Sequence, residues 1–481
     1  MVGLDVSVET LANEAAELIR AFFPNETVDI NKQKQNEEYS FCISCVFCDN
    51  KWTSSLNYSK ESIVREKTVE AMHDNEDIIL YKRRVKGALK ETVYYALKEY
   101  TGRSLPYGML TGVRPLTLAN RFLANNSSDI TEKLLQTEYD VSKEKARLLT
   151  QTALVQQSCT PEADSASLYI HIPFCNSRCN YCSFPSELVD KVEPILDKYM
   201  DALEKEVRFI TDNAREKFES LYVGGGTPSS LSHEHFERLL SICNDAASKR
   251  SIKEFTLEAG RPDSIDKEKL VMMKGAGVTR ISINPQTMND KTLELIGRRH
   301  TTEDIIRTFE LARAIGFDNI NMDLIIGLTG ENETDVENTF NRVLALDPDG
   351  ITIHVLALKH ASELNRIGAN IFSGTCDFGA LTEKYADIFR QRGYMPYYLY
   401  RQKYMLGGLE NTGWCKKNRI CIYNIRMMDD TSTCWAAGAG SVSKRCYSGT
   451  TRIERRSNPK NAADYIAGID ACITKKSEIM D

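Results

Sequence analysis

A chain of 481 residues with 42% hydrophobic and 27% charged residues has an ordinary globular composition, long enough for two or three cores and unlike a collagen, a solenoid or a long disordered segment. With 61 basic against 67 acidic side chains the net charge is −6, so no global positive field exists to hold nucleic acid by its phosphates. No apolar run approaches the roughly 20 residues of a membrane span, and the opening MVGLDVSVETLANEAAELIR lacks the basic start and apolar centre of a signal peptide, which points to a cytoplasmic protein. There the 14 cysteines stay reduced, and clustered ones read as metal ligands or redox groups.

In chain order, a helix is expected from Val8 to Phe23, alternating strands from Tyr39 to Cys48 and Trp52 to Tyr58, and a long amphipathic helix from Tyr81 to Tyr100. Helical patterns continue to Gln157, and the polar run Ser158-Cys159-Thr160-Pro161-Glu162-Ala163-Asp164-Ser165 marks a boundary, so residues 1–160 form an α+β and helical extension. From Ser167 short apolar strands alternate with amphipathic helices, the signature of a parallel sheet with helical crossovers. The strands are Leu168 to Ile172, Leu221 to Gly224, Phe255 to Glu258, Arg280 to Asn284, Ile320 to Ile326 and Ile351 to Leu356. Helices are expected over 191–212, 231–248, 265–275, 302–315, 331–346 and 380–393. Six βα units cannot close the eight-stranded barrel, so the fold class is α/β with an open partial (β/α)6 barrel over 165–395. Strand-like runs at Tyr397 to Tyr400, Cys421 to Met428 and Thr433 to Ala437, with a helix near 459–473, make a small C-terminal α+β region over 396–481.

Chemistry concentrates in His171-Ile172-Pro173-Phe174-Cys175-Asn176-Ser177-Arg178-Cys179-Asn180-Tyr181-Cys182, three thiols spaced C-x3-C-x2-C after the first strand of the barrel. Three thiolates on one tight loop can hold three corners of a cubane iron–sulfur cluster and leave one iron open for a chelating ligand. The alternatives are zinc, which would want a fourth protein ligand, a disulfide, or buried thiols. Gly224-Gly225-Gly226-Thr227-Pro228 ends the second strand, where glycines let backbone amides approach a ligand or simply make a tight turn. Glu258, Gln286, Asp323 and His354 stand at or near strand C-terminal ends, the face that carries active sites in barrel-like folds. Glu258 and Asp323 could instead pair with a neighbouring Arg, Arg298 could be a solvated helix-end cation, and His354 reads as a satisfied core histidine.

The thiol spacing with Tyr181 before the last cysteine resembles the radical S-adenosylmethionine (SAM) superfamily, and the run Tyr169 to Phe184 with the glycine run resembles its oxygen-independent coproporphyrinogen III dehydrogenase (oxidase) family over about 165–445. The leading extension, Tyr397-Tyr398-Leu399-Tyr400-Arg401-Gln402-Lys403 and Gly438-Ala439-Gly440-Ser441-Val442-Ser443-Lys444 resemble its HemZ-like branch. The resemblance implies one 4Fe-4S cluster on Cys175, Cys179 and Cys182 with exchangeable SAM on the open iron, and one or two SAM molecules. It implies SAM contacts from Tyr169, Tyr181, Gly225, Gly226, Thr227, Glu258, Gln286, Arg298 and Asp323, with Tyr169 also an active-site tyrosine. The implied reaction converts coproporphyrinogen III to protoporphyrinogen IX through a 5′-deoxyadenosyl radical and two propionate decarboxylations, with a flavodoxin or ferredoxin as electron donor and residues 396–481 covering the substrate. Phe184 stands where the dehydrogenase branch has a further cysteine, as in the related haem-chaperone branch, so haem binding and SAM-dependent haem degradation are the rival activities.

Two other features carry blander readings. Cys42, Cys45 and Cys48 lie on an alternating strand, so Cys45 should point away from the other two and all three read as small buried hydrophobes. Cys415, Cys421, Cys434 and Cys446 read as structural, and Lys82, Arg83, Arg84 and Lys86 as a solvated helix face. Arg298, Arg299, Arg401 and Lys403 are candidate anchors for propionates, because a carboxylate is costly to desolvate unpaired.

Overall fold

A computed structural model describes residues 1–31, 39–74, 76–159, 161–162, 164–357, 377–402, 405–429, 431–450 and 452–480. The chain forms two units, Met1–Thr150 with a short stretch from Arg401, and Gln151–Tyr400 with Met405–Asp481. Lys403, Thr160 and Ala163 lie outside the described residues. The helix Lys143–Gln157 carries the chain from the first unit into the second.

In the first unit, apolar alternation builds β1 (Val2–Val6), β2 (Val28–Ile30), β3 (Phe41–Cys48), β4 (Lys51–Tyr58) and β5 (Glu61–Thr68), in the order β2-β1-β3-β4-β5. β1 runs parallel to β2 and β3, while β3, β4 and β5 form an antiparallel meander. Asp49 and Asn50, with φ of 51° and 57°, make the two-residue turn between β3 and β4, a left-handed pair that Asn and Asp tolerate. The inward set Phe41, Ile43, Cys45, Trp52 and Leu56 packs with the apolar faces of the helices Ala12–Phe22 and Ile78–Thr101, and the Trp52 indole donates to the Val85 carbonyl at 2.9 Å. Strand alternation buries Cys45 as expected. The reading of all three thiols as buried needs correction, because Cys42 is half-buried and Cys48 is exposed beside Asp49. Lys82 and Arg83 are exposed, whereas Arg84 pairs with Glu76 and Lys86 with Glu14. Gly87 sits inside the long helix with open space where its Cβ would be, so Gly87→Ala should stabilise the protein by up to about 1 kcal/mol in a denaturant titration.

In the second unit, six parallel strands follow one another in the sheet: β6 (Ser165–Ile172), β9 (Lys217–Gly225), β10 (Glu254–Gly260), β11 (Arg280–Ile283), β12 (Ile320–Ile326) and β13 (Gly350–Val355). These are the expected six, with helices at 196–213, 233–249, 267–275, 302–315, 333–346 and 378–391. Between β6 and β9 a short ribbon pairs β7 (Phe174–Cys175) with β8 (Glu187–Leu188). The sheet is open. Its full order is β14-β15-β13-β12-β11-β10-β9-β6-β16-β17-β18, where β14 (Tyr394–Tyr400) and β15 (Asn411–Lys416) extend one side, and β16 (Thr433–Ala437), β17 (Val442–Cys446) and β18 (Ile453–Ser457) the other. β16 runs parallel to β6, and β15 antiparallel to β13.

One expected strand is a helix. Cys421 to Met428 folds as the helix Ile422–Met428 because the Glu254 carboxylate accepts the amides of Ile422 (2.8 Å) and Tyr423 (3.0 Å), capping the helix from another strand. This helix packs Tyr423 and Ile425 into a buried cluster with Tyr397, Tyr398, Cys415, Cys421 and Cys434.

Candidate active site

The thiol loop is held in place by backbone first. At the end of β9, the Gly226 amide donates to the Ile172 carbonyl (2.8 Å) and the Thr227 amide to the Phe174 carbonyl (2.7 Å). On the other side, the Asn180 amide donates to Ile296 (3.2 Å), its side chain to Leu295 (2.9 Å), and the Ser177 hydroxyl to Gly297 (3.4 Å). Arg261, buried just after β10, donates to the Ser177 hydroxyl (2.8 Å) and carbonyl (3.2 Å) and is itself clamped by Asp263, whose carboxyl its hydrogen bonds to His300 and Arg261 hold well below the usual range despite burial. Nothing in the local sequence pattern marked Arg261; it shows only once the loop after β10 is folded against the loop after β6.

This clamp carries a correction to the expected cofactor set. Among the described residues no group of three or more His, Cys, Asp or Glu side chains is placed to hold a metal ion, so Cys175, Cys179 and Cys182 do not form the expected seat for a 4Fe-4S cluster with SAM on its open iron. Each thiol has a different environment. Cys175 Sγ lies 3.5 Å from the Thr227 hydroxyl, Cys179 Sγ accepts from Arg261 at 3.9 Å, and burial pushes the Cys175 and Cys182 thiols up, toward the neutral form.

The glycine run is demanded by packing. A Cβ on Gly224 would lie 2.7 Å from the Glu258 carboxyl carbon, one on Gly225 would lie 2.1 Å from the His171 ring, and one on Gly226 would lie 2.5 Å from the Phe174 carbonyl oxygen. Gly225 also has φ of +110°, and its amide serves the Glu258 carboxylate. The three amides of Gly225, Gly226 and Thr227 are thus engaged within the protein. Gly225→Ala should cost several kcal/mol, on the order of 2–4, because the new Cβ would be strained at a positive φ and would clash with the His171 ring. A denaturation midpoint within experimental error of the parent would contradict this.

Glu258 is the electrostatic centre of the site. The Tyr222 hydroxyl donates to it at 2.6 Å, yet burial, with the nearby Asp323 charge adding to it, pushes its carboxyl up to about 7. It pairs with a phenol and an amide and not with an Arg. Tyr222 stacks on Tyr423 at a ring distance of 4.3 Å and 23°, and Tyr423 in turn stacks on Tyr169 at 5.7 Å and 20°. Three aromatic rings therefore lie together beside the carboxylate. Burial pushes the Tyr169 and Tyr222 phenols well up, so both stay neutral. The Tyr169 ring also neighbours His171 at 5.8 Å, whose Nδ1 bonds the Ala439 carbonyl. Tyr222 and Tyr423 were missed by sequence, although Tyr222 lies two residues before the glycine run.

Gln286 has φ of +67°, its amide bonds the Asp323 carbonyl at 2.9 Å, and its Oε1 is buried without a partner. Arg298 is buried, not solvated: it donates to the Asn284 carbonyl and to the Tyr181 hydroxyl at 3.1 Å, leaving its Nε without a partner. Asp323 accepts from Asn321 at 2.7 Å, with His354 Nε2 3.9 Å away and half-buried, not in the core. Arg401, by contrast, belongs to the first unit, where it packs on the Tyr107 ring at 4.5 Å and donates to the Leu110 carbonyl.

Residues 169–343 match the model of the Radical SAM superfamily. The chain is 35% identical over 393 residues to the oxygen-independent coproporphyrinogen-III oxidase-like protein HemZ of Bacillus subtilis (strain 168), covering 80% of this chain and 78% of that one. It is 40% identical over 195 residues to the haem chaperone HemW of the same organism, covering 40% of this chain and 51% of that one. Among solved structures, coproporphyrinogen III oxidase (HemN) from Escherichia coli, a radical SAM enzyme, matches with a TM-score of 0.51 at 24% identity, over 66% of this chain and 72% of that one, which shows a common fold. A partial barrel of six parallel strands with glycine-rich and thiol-bearing loops at the strand ends, together with these matches, defines a member of the radical SAM superfamily. Within it, the chain belongs to the HemZ/HemN-type coproporphyrinogen oxidase-like proteins.

Proposed function

We infer that the chain carries oxygen-independent coproporphyrinogen III oxidase-like activity in haem biosynthesis, as a SAM-dependent radical oxidoreductase. The single observation that carries this is the 35% identity to a HemZ protein over 80% of the chain, which spans both the extension and the barrel. The reaction moves a hydrogen atom from the propionate carbon next to the ring onto the 5′-deoxyadenosyl group of SAM, giving 5′-deoxyadenosine; the remaining fragment loses carbon dioxide, passes one electron to an external one-electron acceptor and becomes a vinyl group. Two such events turn coproporphyrinogen III into protoporphyrinogen IX.

The site residues have assignable tasks in this reading. Glu258 and Asp323, two neighbouring carboxylates, face the cationic ammonium and sulfonium of SAM, which lowers the cost of holding both charges. The unpartnered Gln286 Oε1 accepts from a ribose hydroxyl or the adenine amino group, and the Arg298 guanidinium, kept beside Tyr181, meets the SAM carboxylate. Gly225, Gly226 and Thr227 shape the floor of that site while holding the loop of β7. Tyr169, neutral beside Tyr423, is a phenol of the reaction chamber that helps exclude water from it. Residues 1–160 serve as an extension, 165–395 as the catalytic barrel and 396–481 as the cover over the substrate. A flavodoxin or ferredoxin supplies electrons, and the protein works in the cytoplasm.

Phe184, 56% exposed in the thiol loop region, and the likeness to a haem chaperone favour one second reading, haem binding without turnover. An anaerobic incubation with reductant, SAM and either coproporphyrinogen III or haem separates the two. Vinyl-bearing porphyrin and 5′-deoxyadenosine in the chromatogram are the expected products. Stoichiometric haem binding with neither product would contradict the oxidase-like reading, and a SAM-dependent loss of the haem Soret band would assign haem degradation instead.

A further inference from the structure

The thiol loop borders a concavity of about 860 Å³, walled by that loop, by β8 and the short helix Val189–Val192 after it, and by the end of the helix Asp290–Leu295 with the segment that follows. Four cations line it, Arg178, Lys191, Arg298 and Arg299, against two carboxylates, Glu187 and Glu294. Arg298 donates to Tyr181 and Asn284 and is already assigned to the SAM carboxylate, so it is not counted among the anchors, and Glu187 accepts the Ala462 amide at 2.7 Å. Arg178, Lys191 and Arg299 are exposed, and among the described residues none has an ion-pair or hydrogen-bond partner.

We propose that this cavity anchors the carboxylates of the tetrapyrrole, with Arg178, Lys191 and Arg299 as the contacting cations. The proposal rests on the porphyrinogen reading above and names a subsite for it. Volume and shape favour a small polyanion over a protein. The cavity lies within the range of about 300–1,000 Å³ that holds small ligands, whereas a stable protein partner buries about 800 Å² per side on a broad face. The chemistry agrees, since several free cations converging on one concavity suit a ligand with several carboxylates, each of which needs a partner when it leaves water. Arg299 was already a candidate anchor by sequence; Arg178 and Lys191 reach the same cavity only through the fold.

The test is a fluorescence-quenching titration of the full chain with coproporphyrin III, the stable oxidised form with four propionates, beside its tetramethyl ester. The parent should bind the tetra-acid and discriminate against the ester by about tenfold or more, with affinity falling as salt is added. Arg178→Glu/Lys191→Glu/Arg299→Glu should weaken tetra-acid binding about 10- to 100-fold and raise KM for coproporphyrinogen III with little change in kcat. The neutral set Arg178→Gln/Lys191→Gln/Arg299→Gln should fall between. Circular dichroism checks that both remain folded. Equal affinity of parent and variants, or an ester that binds as well as the acid, would overturn the proposal. So would a variant impaired only when an acidic electron-donor protein replaces dithionite, which would assign the surface to that protein. In none of these outcomes does vinyl product from the parent disappear, so the anchoring site can fail while the oxidase-like reading stands.

Discussion

Glu258→Gln should weaken SAM binding by about 10- to 100-fold while making the protein more stable at pH 8 than the parent. The two effects share one cause. The folded protein holds the Glu258 carboxyl at about 7 against an ordinary value of 4.5, because burial outweighs the hydrogen bonds from Tyr222 and Gly225. The native state therefore keeps this proton more tightly than the unfolded chain. Its contribution to stability is fully present below pH 4.5 and is lost as pH rises through 7. The loss is on the order of 3 kcal/mol when complete. A Gln side chain accepts the Tyr222 hydroxyl equally well and has nothing to ionise, so the gap between variant and parent should open between pH 5 and pH 7 and stay open above. Melting curves at pH 5 and pH 8, with calorimetric SAM titrations at pH 8, check both halves. Variant and parent curves that shift in parallel with pH would show that Glu258 is not the strained group, and unchanged SAM affinity would remove its binding role.

Lys476→Ala should destabilise the second unit by about 3–5 kcal/mol, since removing one partner strands a buried charge. Glu206 and Lys476 are both essentially inaccessible to water and pair at 2.6 Å. Glu206 further accepts from the Tyr465 hydroxyl (2.6 Å), the Asn458 side chain (2.9 Å) and the Gly438 amide (2.8 Å). This network ties the C-terminal helix Ile469–Ser477, the helix Leu196–Asn213 and the turn after β16 into one piece. That turn is functional ground, because the Ala439 carbonyl beside it holds His171 Nδ1 at the end of β6. The loss should therefore reach the active site from a distance, lowering activity at 37 °C more than at 20 °C. Urea denaturation measures the effect. The double variant Glu206→Gln/Lys476→Met, which removes both charges, should recover much of the stability; a single variant within about 1 kcal/mol of the parent would show that the pair is dispensable.

The barrel was legible because its strands are short and mostly apolar, buried on both faces; Ile320–Ile326, despite Asn321 and Asp323 within it, has the same ends in the structure as in the sequence reading. β5 was not, because ESIVREKT is an edge strand whose single buried residue, Ile63, gives no alternation to read. Cys421 to Met428 misled for a different reason. Its β-like composition is overruled by Glu254, a cap more than 160 residues away in sequence that no local window contains. The site divides in the same way. Glu258, Gln286 and Asp323 announce themselves as polar residues at or just beyond strand ends, but the rings packed beside Glu258, Tyr222 and Tyr423, and Arg261 against the thiol loop come from chain brought in from elsewhere. The thiol loop shows the limit most clearly: C-x3-C-x2-C brings three sulfurs onto one loop, while Thr227 and Arg261 decide where two of them point.

Coproporphyrinogen III labelled at its propionate carboxyl carbons offers the most direct test of what this protein does. Incubated anaerobically with the full chain, SAM and a reductant, it should release two labelled carbon dioxide molecules for each protoporphyrinogen IX formed, and none when SAM is omitted. Label retained on an unchanged tetrapyrrole, under conditions in which a HemN-type oxidase releases it, would contradict an oxidase-like function for this chain.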